Sequence, residues 1–143
     1  MQNIEAYYQM VEGCIARLGV DPLVCRGEKP GMWSLKKGSA DVWIDVWKVE
    51  NDDYGYFQAM APVCEIPANR TQEFLQEILE INHNLYGVGM TKYENWIYIK
   101  TIRELDGISE DEMFAMFNRI GNYADDYDDI LRDKYFGGGR RSE

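Results

Sequence analysis

The sequence predicts an α+β domain in which helices pack on a five-stranded antiparallel sheet. Two observations support this prediction. Five short segments rich in apolar and aromatic residues are separated by turn residues, which is typical of short strands. Three longer segments repeat apolar residues every three or four positions, which is typical of amphipathic helices. The predicted order along the chain is α-βββ-α-ββ-α, and the short turns between strands favour antiparallel pairing.

The first helix is predicted over residues 3–18, where apolar side chains recur at helical spacing. Gly19 suits the position just after a helix, where the left-handed conformation is common. Three strands are then predicted to form a meander, because turn residues separate three apolar-rich segments. These strands are Met32–Lys37, Ala40–Val49 and Tyr56–Cys64.

Asn69, with Gln72 three residues later, has the pattern of a capping box. It therefore predicts the start of a second helix that extends to about Leu85. The apolar stripe of this helix is predicted to contain six residues: Phe74, Leu75, Ile78, Leu79, Ile81 and Leu85.

Two further strands are predicted at Val88–Lys92 and Trp96–Ile102, on either side of a short polar turn. Ser109 and Glu112 form another capping-box pattern, in a first turn that is rich in acidic residues. A third helix is therefore expected from this point to about Tyr135.

The length of 143 residues is typical of one domain. We assign residues 1–136 to that domain and residues 137–143, "GGGRRSE", to a flexible tail.

The charge of the chain argues against nucleic acid and membrane surfaces as partners. Fifteen basic and 25 acidic residues give a formal net charge of −10, which repels phosphate groups and anionic lipids. From Glu104 to Asp133 there are ten acidic and two basic residues, a net charge of −8. This acidic surface suits solubility or a basic partner.

Three cysteines without a CxxC spacing favour reduced thiols over a disulfide framework. The first ten residues, "MQNIEAYYQM", lack the basic and apolar regions of a signal peptide. A soluble cytoplasmic protein is therefore expected.

No enzyme activity, cofactor or metal is expected from the sequence. His83 is the only histidine, so acid–base catalysis would need it to approach a cysteine such as Cys25 or Cys64 in space. The glycines near Val88 do not complete a GxGxxG phosphate-binding motif.

The acidic segment "DDYDD" places Asp125, Asp128 and Asp129 on one face of the third helix. These carboxylates could chelate a divalent cation or attract a basic partner. The alternative is a solvated acidic face that Arg132 and Lys134 partly neutralise.

The segment "ADVWIDVWKV" is apolar on both faces of its predicted strand. Val42, Ile44 and Val46 share one face, and Trp43, Asp45 and Trp47 share the other. Three alternatives follow for the tryptophan face: helices cover it as ordinary core, a second copy of the chain covers it, or it binds a peptide or small ligand.

Asp45 favours the last two alternatives, because an unpaired carboxylate in a core costs several kcal/mol. Burying two indoles contributes very roughly 8–12 kcal/mol before the costs of association. We therefore predict that Trp43, Asp45 and Trp47 form a partner or dimer surface and that the protein is a homodimer.

Five segments of the chain, in sequence order, are "LKKGSADVWIDV", "APVCEIP", "LEINHNLYGVG", "IRELDGISEDEM" and "NYADDYDDILRDKYFGG". Together they resemble the YbjN-type proteins, often labelled bacterial sensory transduction regulators. The resemblance covers about residues 38–139.

The resemblance implies the fold of the type III secretion chaperones, which hold effector segments in surface grooves. It further implies a non-enzymatic, self-associating module that binds a protein or peptide, with a chaperone-like or regulatory role. A small-ligand sensor is the alternative function, and an enzyme is a more distant one.

Overall fold

The computed structural model describes residues 3–137, which form nine helices and strands. The helices are α1 Ile4–Arg17, α2 Pro22–Cys25, α3 Thr71–Asn82 and α4 Glu110–Tyr135, and the strands are β1 Met32–Lys37, β2 Ala40–Lys48, β3 Gly55–Glu65, β4 Gly89–Tyr93 and β5 Trp96–Glu104. All neighbouring strands are antiparallel, in the order β1-β2-β3-β5-β4. The predicted fold class is thus confirmed. Residues 138–143 of the predicted tail lie outside the described residues.

The short helix α2 was not predicted, although the sequence contains its signal. The Asp21 side chain accepts a hydrogen bond from the backbone N–H of Leu23 at 3.0 Å. Pro22 occupies the first turn, where backbone N–H groups have no acceptor within the helix. The absence of an N–H on proline therefore costs no helical hydrogen bond. An Asp-Pro pair is a standard helix start, and here it begins a single turn.

The predicted capping box at the start of α3 is wrong. Arg70 is the N-cap residue, with a left-handed φ of 61° and no side-chain capping bond, so Asn69 and Gln72 do not cap this helix. The helix also ends at Asn82 rather than at Leu85. The backbone N–H groups of residues 83–85 bond to carbonyls three residues earlier, which tightens the last turn out of α-helical geometry.

The predicted capping box at the start of α4 is confirmed. The Ser109 hydroxyl accepts a hydrogen bond from the Glu112 N–H at 3.1 Å, and the Glu112 carboxylate accepts one from the Ser109 N–H at 3.3 Å. Gly19 follows α1 with the expected positive φ, 82°. These local signals therefore predicted the end of α1 and the start of α4 correctly.

The three longer helices pack against one face of the sheet, which we call the inner face. Helix α4 crosses four strands, and its Phe117 ring stacks on Phe57 of β3 at 5.8 Å. Helix α1 packs beside α4, and Phe74 of α3 meets Tyr135 of α4 edge to face. The inner face of the sheet is buried: Trp33, Leu35, Val42, Ile44, Val46, Phe57, Ala59, Ala61, Val63, Met90, Ile97, Ile99 and Thr101.

Gly121 sets how closely α4 approaches the β1–β2 hairpin. A Cβ atom at this position would lie 2.3 Å from Cγ and 2.7 Å from Cβ of Lys37. Gly121→Val should lower the free energy of unfolding by about 1–3 kcal/mol through this overlap, although valine has the better helix propensity. Urea unfolding measures this change. Asn122→Val, at an exposed position of the same turn, is the control and should be nearly neutral. An unchanged midpoint for Gly121→Val would contradict the close approach.

Candidate functional site: the open face of the sheet

The second face of the sheet, which we call the open face, has no helix packed on it within residues 3–137. Along β2, Val42, Ile44 and Val46 point to the inner face and are at most 3% exposed, whereas Trp47 is 36% exposed. The open face comprises Met32, Ser34, Lys36, Asp41, Trp43, Asp45, Trp47, Tyr56, Gln58, Met60, Pro62, Thr91, Tyr93, Trp96, Tyr98, Lys100 and Ile102. The helices of the described chain therefore do not bury the two indoles of β2 as core residues.

Two aromatic pairs stand on the open face. The Trp43 and Tyr98 ring centroids are 6.1 Å apart with an interplanar angle of 44°. The Trp47 and Tyr56 centroids are 5.7 Å apart at 35°. In each pair the two rings restrict one another's side-chain motion. Little side-chain entropy is therefore lost when a partner binds this surface.

A row of four side chains, which we call the trough, crosses the sheet between these aromatic pairs. Met32 is opposite Asp45, Asp45 is opposite Gln58, and Gln58 is opposite Ile102. The spacing of strands makes this row about 14 Å long. Met32 and Ile102, at its two ends, are 42% and 51% exposed. The trough therefore has a polar centre and apolar ends.

Asp45 is the charged residue of the trough. Burial raises the pKa of its carboxyl group above the ordinary value of 3.8, and a hydrogen bond from the Gln58 amide opposes this rise only in part. No salt bridge to Asp45 occurs among the described residues. The ionised carboxylate is consequently half-buried without a cation beside it.

The neighbouring carboxylate on β2 is in a different situation. Asp41 forms a salt bridge with Lys36 across the β1–β2 pair at 3.2 Å, and both side chains are at least partly accessible to solvent. Contacts of this kind are worth at most about 1 kcal/mol. Of these two carboxylates, Asp45 is therefore the one without a cationic side chain beside it.

The predicted acidic cluster on α4 is partly engaged within the chain. The Ser39 hydroxyl donates to Asp125, and Arg132 pairs with both Asp128 and Glu65. Asp129 lines a shallow depression together with Tyr123, Asp126, Tyr127 and Ile130. No group of three or more potential metal ligands occurs in residues 3–137. The steering of a basic partner by these aspartates stays a prediction.

The three cysteine thiols are buried in environments that disfavour a nucleophile. Burial raises the pKa of Cys14 to about 12, and its Sγ donates to the Glu110 carbonyl. Burial also raises the pKa of Cys25, whose Sγ donates to the Asp21 carbonyl. Cys64 is fully buried, whereas His83 is exposed just after α3. Reactive cysteines instead need a lowered pKa and access to solvent.

A cavity of about 430 Å³ lies beside the edge strand β1, and it is the strongest alternative site. Tyr8, Glu12, Arg26 and Trp33 line it together with the loop of residues 27–31. The Glu12 carboxylate already accepts hydrogen bonds from Arg26 Nε at 2.7 Å, Arg26 Nη2 at 2.9 Å and Trp33 Nε1 at 2.9 Å. Since these bonds occupy the central polar groups, the open face is the better candidate site.

Over residues 3–137, every helix is too short or too polar to cross a lipid bilayer.

Replacing Asp45 by asparagine tests its electrostatic environment. A raised pKa in the folded chain means that the ionised carboxylate destabilises the fold above that pKa, and that the cost disappears below the unfolded value. Asp45→Asn should therefore raise the unfolding midpoint near neutral pH, and its advantage should shrink as the pH falls towards 3.8. Thermal melting across pH measures this difference.

Asp41→Asn is the matched control, since it removes a carboxylate of the same strand and face that already has a cationic neighbour. It should be neutral or slightly destabilising near neutral pH. Equal effects of the two substitutions would contradict the distinction between Asp45 and Asp41.

No protein-family model matches the sequence, and no curated protein is similar to it at a significant level. Solved structures are nevertheless similar over most of the chain. The ExsC–ExsE complex contains a chain that is 13% identical, with a TM-score of 0.65, covering 92% of this chain and 97% of that one. The Yersinia pestis type III secretion chaperone SycH, solved with a fragment of YscM2, is 9% identical, with a TM-score of 0.56 and coverages of 85% and 98%.

YbjN from E. coli, described as a proposed transcription regulator, is 18% identical, with a TM-score of 0.50 and coverages of 90% and 92%. The predicted resemblance to YbjN and to the type III secretion chaperones is thus confirmed at the level of structure. At these identities the likeness establishes the fold: the chain has the fold of the type III secretion chaperones and of YbjN.

Proposed function

We propose that this chain is a non-enzymatic, cytoplasmic protein-binding module with a chaperone-like or regulatory role, and that a partner polypeptide binds its open face. The observation that carries the proposal is the uncovered aromatic surface around Trp43, Asp45 and Trp47. Contiguous patches of apolar side chains that remain accessible on a folded chain commonly mark an interaction surface. Tryptophan and tyrosine are also the residues most enriched at the centres of interfaces.

The comparisons support the same class of function. Two of the similar structures are complexes of a small chain with another protein, ExsC with ExsE and SycH with a YscM2 fragment. Neither the thiols nor His83 offer a nucleophile and base together, which favours binding over catalysis.

A small-ligand sensor is the second candidate function, and the cavity beside Glu12 and Trp33 favours it. Its volume of about 430 Å³ lies within the usual range of ligand pockets. Retention of a small molecule after purification, lost with Tyr8→Ala but kept with Trp47→Ala, would support this alternative.

The double substitution Trp43→Ala and Trp47→Ala tests the proposed binding function. We expect affinity capture from the native cell to retain a polypeptide on the unmodified chain that the double variant loses. Truncating a central aromatic anchor commonly costs about 2 kcal/mol or more of binding free energy. The double variant should still melt cooperatively, because Val42, Ile44 and Val46 keep their inner-face contacts.

Trp33→Ala is the matched control on the inner face. Trp33 is 4% exposed, packs edge to face against Tyr8 and donates to Glu12. Its truncation should cost about 3–5 kcal/mol of stability, which approaches the whole stability of a small domain. If the open-face double variant unfolds as readily as Trp33→Ala, or retains the same polypeptides as the unmodified chain, the proposal fails.

We also propose that two copies associate. The open face is one candidate surface, and α3 is the other because Leu79, expected in its apolar stripe, is 70% exposed. Light scattering across a dilution series should give about 33 kDa, twice the chain mass of 16.7 kDa. Leu79→Glu should lower this mass if α3 is the interface, and the double tryptophan variant should lower it if the open face is. A mass of one chain at every concentration would contradict the dimer.

A further inference from the structure

The trough has a chemical pattern that specifies more than a general affinity for apolar surfaces. Its four positions are apolar, acidic, amide and apolar, in the order Met32, Asp45, Gln58 and Ile102. The indoles of Trp43 and Trp47 precede and follow Asp45 by two residues on the same face of β2. A carboxylate is thus placed between two aromatic rings at the middle of the surface.

This arrangement complements a positive charge. Two features of the chain indicate that a binding partner must supply this positive charge. Asp45 has no salt-bridge partner within residues 3–137, and the whole chain carries a net charge of −10. A guanidinium group can donate two hydrogen bonds to a carboxylate and can also stack on an aromatic ring.

We propose that the trough recognises a basic residue, an arginine in particular, in an otherwise apolar segment of a partner polypeptide. The guanidinium binds the Asp45 carboxylate, and apolar side chains on either side of it pack against Met32 and Ile102. This inference rests on the proposed binding function and adds the charge that selects the partner.

A second copy of this chain is a poorer occupant of the same place. A copy seated symmetrically over the trough would place two Asp45 carboxylates in the same interface, because a two-fold interface uses the same patch of both copies. Like charges at the centre of an interface cost affinity. A segment that carries a cation removes this cost and neutralises Asp45 at the same time.

The test uses two synthetic tripeptides with blocked ends, Leu-Arg-Leu and Leu-citrulline-Leu. Citrulline has nearly the shape of arginine but no charge. Each tripeptide is titrated at millimolar concentration into the isotope-labelled full chain. The indole N–H resonances of Trp43 and Trp47 and the side-chain amide of Gln58 report binding.

We expect the arginine tripeptide to shift these resonances with an affinity about fivefold higher than that of the citrulline tripeptide, the scale of a partly exposed charge contact. Asp45→Asn should abolish the difference by weakening arginine binding to the citrulline level. Asp41→Asn should preserve the difference. The arginine preference should also diminish at low pH, as Asp45 becomes protonated.

The inference is overturned if both tripeptides bind the unmodified chain equally, if the arginine tripeptide shifts none of these resonances, or if Asp45→Asn keeps the preference. Equal binding that disappears in the Trp43→Ala and Trp47→Ala variant would reject the role of Asp45 and leave the proposed binding function standing. The proposed binding function fails separately, when capture of polypeptides does not depend on the two tryptophans.

Discussion

The structure depends on the packing of the long helix α4 across one face of a five-stranded sheet. Phe117 of α4 stacks on Phe57 of the central strand β3, and Gly121 lets the same helix approach Lys37 at the edge of the sheet. Helices α1 and α3 pack beside α4 on this inner face. A sheet has two faces, and the described chain has helices for only one of them. The accessible aromatic surface of the open face follows directly from this constraint.

Asp45 helps to explain how an apolar face can stay uncovered in a folded chain. A charged group between two indoles raises the cost of burying that face against a purely apolar element. The aromatic pairs Trp43–Tyr98 and Trp47–Tyr56 meanwhile cover part of their own apolar area. An occupant that brings a compensating charge would offset this cost.

Much of the fold could be predicted from the sequence because its signals are local. Turn residues between apolar-rich segments indicated all five strands, and Ser109 with Glu112 marked the start of α4 through bonds within one turn. The failures have tertiary causes. The start of α3 depends on a left-handed Arg70, and Leu79 is exposed because neighbouring elements bury only one side of that helix. Asp45 favoured the tryptophan face of β2 as the uncovered one, but both faces carry large apolar residues, and the packing of α4 on the other face decides between them. Arg132 was expected to neutralise part of the acidic face and pairs with Asp128 one helical turn away, whereas the bond from Ser39 to Asp125 joins distant parts of the sequence and could not be foreseen.

The most direct test of the account is oxidative footprinting of the tryptophans, with and without the polypeptide retained by affinity capture. Trp33 is the internal reference, since it is buried in the fold. The account predicts that Trp43 and Trp47 are labelled in the purified chain and protected in the complex, while labelling of Trp33 stays low in both. Unchanged labelling of Trp43 and Trp47 in the complex, with protection on α3 or beside Glu12 instead, would contradict it.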